Sequence, residues 1–172
     1  MSDRGTQLLQ VATGQIADLT GLLSTRDESV LRLPCPGREK LGDGTVAACA
    51  SHTADNYRRI AAFLGGEDQP PPGHGARGQG PIRDSRHGGG HGPSVHAPPG
   101  AGDVDRQSVL ERLSAGREAL SLLADLTDEQ LDTVPPASDM KFCDGQRSLH
   151  QIVTNLLNHQ SHQLDALRAA LE

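Results

Sequence analysis

Half of the residues between positions 65 and 102 are glycine or proline, 12 Gly and 7 Pro, and the only larger aliphatic side chains among them are Ile82 and Val95. A stretch of that composition cannot bury enough apolar area to offset the entropy of ordering it. Whatever packs must therefore come from the residues on either side. The expected organisation is one domain over residues 1–172, with a flexible connector, 65–104, set inside it.

The flanking segments carry helical periodicity. In TQLLQVATGQIADLTGLLS, Leu8, Leu9, Ala12, Ile16, Leu19 and Leu23 recur at steps of three and four, which marks an amphipathic helix. After a loop with two tight spots, "LPCPG" and "GDG", Asp43 or Thr45 can cap a second helix reaching Leu64. Its stripe is Val46, Cys49, Ala50, Thr53, Tyr57, Ile60 and Leu64, bordered by His52 and Asn56. A third helix is expected from Asp103 or Asp105, with Val109, Leu110, Leu113, Leu120, Leu123 and Leu126 on its apolar face. Thr127–Gln130 and Ser148–Gln151 are capping boxes, the second opening a last helix that runs to about residue 171. No segment alternates like a strand. The fold class expected is all-α, a four-helix bundle. The long links at 25–44 and 65–104 permit an order other than simple up-down alternation, because a 20-residue helix is only about 30 Å long.

Composition narrows the function classes. Only 2% of residues are aromatic, with no Trp, so the core must be aliphatic. A formal charge of −6 with no Lys/Arg cluster argues against a nucleic-acid partner. No apolar run reaches the roughly 18 residues of a membrane span, and the N-terminal MSDRGTQLLQ has no apolar signal-peptide core. Cys35, Cys49 and Cys143 are an odd, sparse set without a CxxC, which suits a reduced, cytoplasmic setting. Cys49 reads as core, and Cys35 and Cys143 as structural thiols.

The histidines carry the chemistry. His74, His87, His91 and His96 lie in the connector, where a His/Gly tract can chelate metal loosely or serve as polar linker. His52, His159 and His162 sit mid-helix, and neutral imidazole is a common ligand for Zn, Ni and Fe. Bundles build metal sites from side chains on facing helices. On the last helix, with about 100° per residue and Leu149 at zero, Ile152, Val153, Leu156, Leu164, Leu167 and Leu171 fall within about 60°. On that scale Gln163 falls at about −40°, inside the face, His159 at about −80° and His162 at about −140°. His159 and Gln163 are thus the pair best placed to face the interior. A glutamine there must find hydrogen-bond partners.

"HTADNYRRI" in the second helix and "LNHQSHQLDAL" in the last resemble the DinB-like superfamily, which includes mycothiol and bacillithiol S-transferases and mycothiol-dependent maleylpyruvate isomerases. The resemblance covers those two helices by motif and the rest by architecture. It implies an up-down-down-up bundle with a long crossover between helices 2 and 3. It also implies a divalent metal, Zn or Ni, held by His52, by His159 and by the residue at 163. The family places a histidine at that last position and this chain has Gln163. His162 matches a frequent non-ligand histidine and could substitute. Amide oxygen is a poorer ligand for Zn or Ni than imidazole.

What the resemblance implies for function is a metal-dependent transferase of a low-molecular-weight thiol, acting on a small-molecule electrophile; a homodimer is compatible with the sequence. The competing expectation keeps the bundle and its polar pocket without turnover, as a small-ligand-binding or stress-related protein with a degraded metal site. A third leaves the bundle inert and assigns metal handling to the connector.

Overall fold

In the computed structural model the described residues are 2–66, 104–138, 140 and 142–172. All four connector histidines and nearly all of the expected connector lie outside them. Among the described residues five α-helices form: α1 (Asp3–Ser24), α2 (Val46–Gly65), α3 (Arg106–Ala119), α4 (Asp128–Asp132) and α5 (Leu149–Leu171). Among the described residues there is no strand, only one isolated bridge between Pro34 and Thr45. The all-α expectation holds.

Each helix starts where a short polar side chain can satisfy the free N–H groups of a first turn. Ser2 accepts from Gly5 N at 2.9 Å, Thr45 from Ala48 N at 3.3 Å and Asp105 from Ser108 N at 2.6 Å. Thr127 with Gln130 and Ser148 with Gln151 close the two reciprocal capping boxes read from the sequence. α2 ends on Gly66 in the left-handed conformation, φ 76°.

The apolar stripes face inward as their spacing requires. Leu8, Ala12, Ile16, Leu19 and Leu23 of α1 join Cys49, Ala50, Ala54, Tyr57 and Ile60 of α2, Val109 and Leu113 of α3, and Val153, Leu157, Leu164 and Leu167 of α5 in one core. α2 packs against α3 and α5, and α1 packs against α3 and α5. Gly116 brings α3 close to α2: a Cβ there would stand 3.0 Å from Tyr57 Cβ. Tyr57 is buried between three helices. Its hydroxyl donates to Gln15 Oε1 at 3.1 Å, and Gln15 Nε2 donates to the Leu157 carbonyl at 2.9 Å and to Ser161 Oγ at 2.8 Å.

Two segments depart from the expected outline. The third helix does not continue to Leu126 but tightens at Leu120–Asp125 into a 3₁₀ turn. Leu120, Leu123 and Leu126 are spaced by three, and a 3₁₀ turn aligns residues three apart. Leu120 and Leu123 are fully buried by it. The 25–44 segment holds a 3₁₀ turn at Glu28–Arg32, then doubles back so that Cys35 N donates to the Gly44 carbonyl at 2.7 Å and Val46 N to the Leu33 carbonyl at 2.8 Å. Gly44 has φ +74°, and a Cβ there would stand 3.1 Å from the Glu39 backbone. The "GDG" turn is fixed by that glycine.

No described helix is long and apolar enough to cross a membrane.

Candidate functional site

α2 and α5 run side by side, and their flanking polar residues meet at a cavity of about 770 Å³ lined by His52, Asn56, Arg59, Ile60, Met140, Phe142, Leu156, His159 and Gln160. Its volume lies in the range of small-molecule sites, roughly 300–1,000 Å³. Polar side chains form its floor and aliphatic and aromatic ones its wall.

The floor is a chain of hydrogen bonds between the two helices. Asn56 Nδ2 donates to His52 Nε2 at 3.1 Å and to Gln160 Oε1 at 3.2 Å. Gln160 Nε2 donates to the Thr53 carbonyl at 2.8 Å. An amide nitrogen can only donate, so His52 Nε2 is the acceptor and the ring carries its proton on Nδ1. Burial pushes the His52 pKa below its ordinary 6.5, and Arg59, His159 and Arg38 push in the same direction, with Asp55 partly opposing. The neutral ring is the favoured form.

His159 stands at the exposed edge of the cavity. Its Nε2 is 3.1 Å from Gln163 Nε2, and the same logic makes it an acceptor with Nδ1 protonated. Gln163 lies behind it, only 2% exposed, and its Oε1 accepts from the Cys49 thiol at 3.5 Å. Burial, reinforced by neighbouring Cys35, drives the Cys49 thiol up to about 12. Such a group is a structural thiol, not a nucleophile. Cys35 and Cys143 are likewise free and buried. Cys143 packs with Phe63 and Ile152.

The four residues named from sequence thus separate. His52 and His159 line one cavity, and Gln163 touches His159 from the interior. His162 is exposed and does not line the cavity; its main-chain carbonyl accepts from Arg38 Nη2 at 3.0 Å. Gln163 is buried on the apolar face, as its helical angle requires.

The donor set can be tested against a divalent metal. Catalytic zinc sites use three protein ligands and an open position. Here two imidazoles share the cavity, each with Nε2 accepting from an amide, and the Gln163 oxygen is turned to a thiol. Among the described residues no group of three His, Cys, Asp or Glu side chains is placed to hold a metal ion. As arranged, these residues do not fit the three-ligand set.

Several lining residues carried no expectation from sequence. Gln160 falls at about +20° on the scale used for α5, the centre of its apolar face, so the angle that selects Gln163 selects it too. It is 1% exposed. Arg59 left no signal beyond its charge. Met140 and Phe142 come from an irregular loop, held over the cavity by an edge-to-face contact between Phe142 and Phe63 with ring centroids 5.3 Å apart.

Comparison with family models, curated proteins and solved structures finds no match to this chain.

Proposed function

We propose that this chain is a DinB-like bundle whose cavity between α2 and α5 binds a small molecule. The observation that carries the binding reading is the pairing of a hydrogen-bonded polar floor with a wall of Ile60, Met140, Phe142 and Leu156 in one cavity of suitable volume. Such sites are mostly apolar with a few convergent polar groups. The DinB-like assignment rests on the "HTADNYRRI" and "LNHQSHQLDAL" motifs. In the bundle we propose, α1, α2, α3 and α5 run up-down-down-up, and the long segment after α2 makes the crossover. The packing of α2 against both α3 and α5 is compatible with that order.

Ligand-observed NMR against a fragment library tests the binding reading. Binders are expected, and they should be lost in Leu156→Trp, which fills the cavity with an indole. Binders that survive that substitution would place the site elsewhere.

A second reading, a metal-dependent transferase of a low-molecular-weight thiol, is favoured by one observation: His52 and His159, from two helices, line the same cavity. It requires a third donor, from Gln163 or His162. Metal analysis of the purified, untagged protein, with His52→Ala, His159→Ala and a connector deletion, decides it. Stoichiometric zinc or nickel lost with either point substitution supports it. Metal lost only with the connector assigns metal handling to that segment, and no metal at all overturns both.

A further inference from the structure

The cavity between α2 and α5 has a chemical polarity that goes further than its size and shape. Three of its nine lining residues, His52, Arg59 and His159, are basic, and none is acidic, although the chain carries a net charge of −6. The nearest carboxylate on the same helix, Asp55, is one turn before Arg59 and is engaged by Arg112 of α3 at 3.4 Å. Among the described residues no carboxylate pairs with Arg59.

The hydrogen-bonding capacity left over leans toward donors. Asn56 gives its two N–H groups to His52 and Gln160, and Gln160 uses its oxygen for Asn56 and a nitrogen for Thr53. Both imidazoles have Nε2 occupied as acceptor. What remains for a ligand is mainly N–H: the remaining ring nitrogens, a second N–H of Gln160, and the guanidinium fork of Arg59, whose geometry matches a carboxylate with two parallel bonds; Asn56 Oδ1 is left as an acceptor. The opposite wall, Ile60, Met140, Phe142 and Leu156, offers only apolar and aromatic contact.

We propose that the cavity takes a small monocarboxylate with an aromatic body, its carboxylate on the Arg59 guanidinium and its ring against Phe142, Met140 and Leu156. One permanent positive charge matches one negative charge. This assignment rests on the ligand-binding reading above and adds the class of ligand to it.

A suitable probe is 1-naphthylacetate, compared with its neutral isostere 1-naphthylacetamide, on the full chain. The protein has no Trp, so naphthyl fluorescence reports binding without interference from indole. The carboxylate is expected to bind about tenfold or more tighter than the amide, the scale of one charged hydrogen-bonded contact. Arg59→Gln should bring that ratio close to one, because the carboxylate loses more than the amide does. Arg58→Gln, on the neighbouring exposed position that does not line this cavity, should leave the ratio intact. Equal affinity of the two probes for the parent protein, or a preference that survives Arg59→Gln, overturns the carboxylate assignment while the pocket stands. Binding of neither probe overturns the carboxylate assignment, and the fragment screen then decides the pocket on its own.

Discussion

Replacing Gln163 by histidine is the sharpest perturbation of this site, because it exchanges the hydrogen-bonded arrangement for a ligand set. Gln163 Nε2 stands 3.1 Å from His159 Nε2. In a tetrahedral zinc site with bonds of about 2.0–2.1 Å, neighbouring nitrogen donors lie about 3.3 Å apart. Position 163 is therefore already at ligand spacing from one imidazole, and His52 faces the same cavity from α2. Without metal, Gln163→His loses the bond to His159 and the acceptor for the Cys49 thiol. The second is a weak bond, so the cost is about 1–2 kcal/mol. With free zinc at about 100 times its dissociation constant, binding returns about 2.7 kcal/mol. For a chain of this length each kcal/mol moves the melting midpoint by about 2–4 °C. The metal-free variant should melt about 2–8 °C below the parent, and zinc should raise it by about 5–11 °C.

The assay is thermal unfolding by circular dichroism with excess chelator and with buffered zinc, alongside metal analysis after gel filtration. His159→Ala in the same background should abolish the zinc shift. Superimposable melts with and without zinc would refute the geometric reasoning. So would a zinc shift that persists in the double variant, since the metal would then sit elsewhere in the chain.

Gly116→Ala should destabilise by about 1–3 kcal/mol, because its methyl group would crowd Tyr57 across the α2–α3 contact. Gly14→Ala, in open space on α1, should stabilise by up to about 1 kcal/mol, and urea unfolding that ranks the two otherwise contradicts the packing. Gln160→Leu removes a donor to Thr53 and an acceptor for Asn56 and should cost about 1–3 kcal/mol in the same measurement; unchanged stability would mean those bonds contribute nothing net. Native protein at neutral pH should react with an aromatic disulfide reagent only as fast as it opens, because all three thiols are buried; rapid labelling of any of them would contradict that burial. Because the fold holds His52 below its ordinary 6.5, its contribution is complete above that pH and is lost as pH falls through the lower folded value. Stability should therefore decline on acidification below 6.5, before the carboxylates near 4 titrate, and His52→Gln should flatten that slope; an unchanged slope would assign it to other groups.

The fold was legible in the sequence wherever a single period governed the pattern. The α1 and α2 stripes, the Thr45 cap and both capping boxes are local, and each forms where its residues dictate. The helical angle of Gln163 predicted its burial because a rigid helix carries angular information over many residues. The 3₁₀ turn at Leu120–Asp125 was harder to see, since leucines three apart fit an α-helix almost as well. Gln160 was available to the same angular reasoning, but an isolated polar residue between Asn158–His159 and Ser161–His162 looks like part of a solvated turn. Met140 and Phe142 had no periodicity to read. Their place over the cavity depends on a long-range contact with Phe63, which no local pattern encodes.

The three buried glutamines, Gln15, Gln160 and Gln163, share one physical role. A core with one tyrosine and two phenylalanines has few large, distinctively shaped side chains to fix how its helices mesh, and aliphatic faces tolerate sliding better than hydrogen bonds do. A primary amide offers donor and acceptor together, so one side chain can tie two partners. Gln15 joins α1 to Tyr57 of α2 and to the Leu157 carbonyl of α5. Gln160 ties α5 to α2 at Thr53 and Asn56, and Gln163 ties it again at Cys49. A one-turn slip of α5 against α2 would leave several of these groups buried and unpaired, at about 1–3 kcal/mol each. Gln163 also donates to His159 Nε2, and Gln160 accepts from Asn56, whose other N–H goes to His52 Nε2. In this chain the residue at 163 therefore ties helix register and the orientation of the His159 ring together, and replacing it by a metal ligand must disturb both.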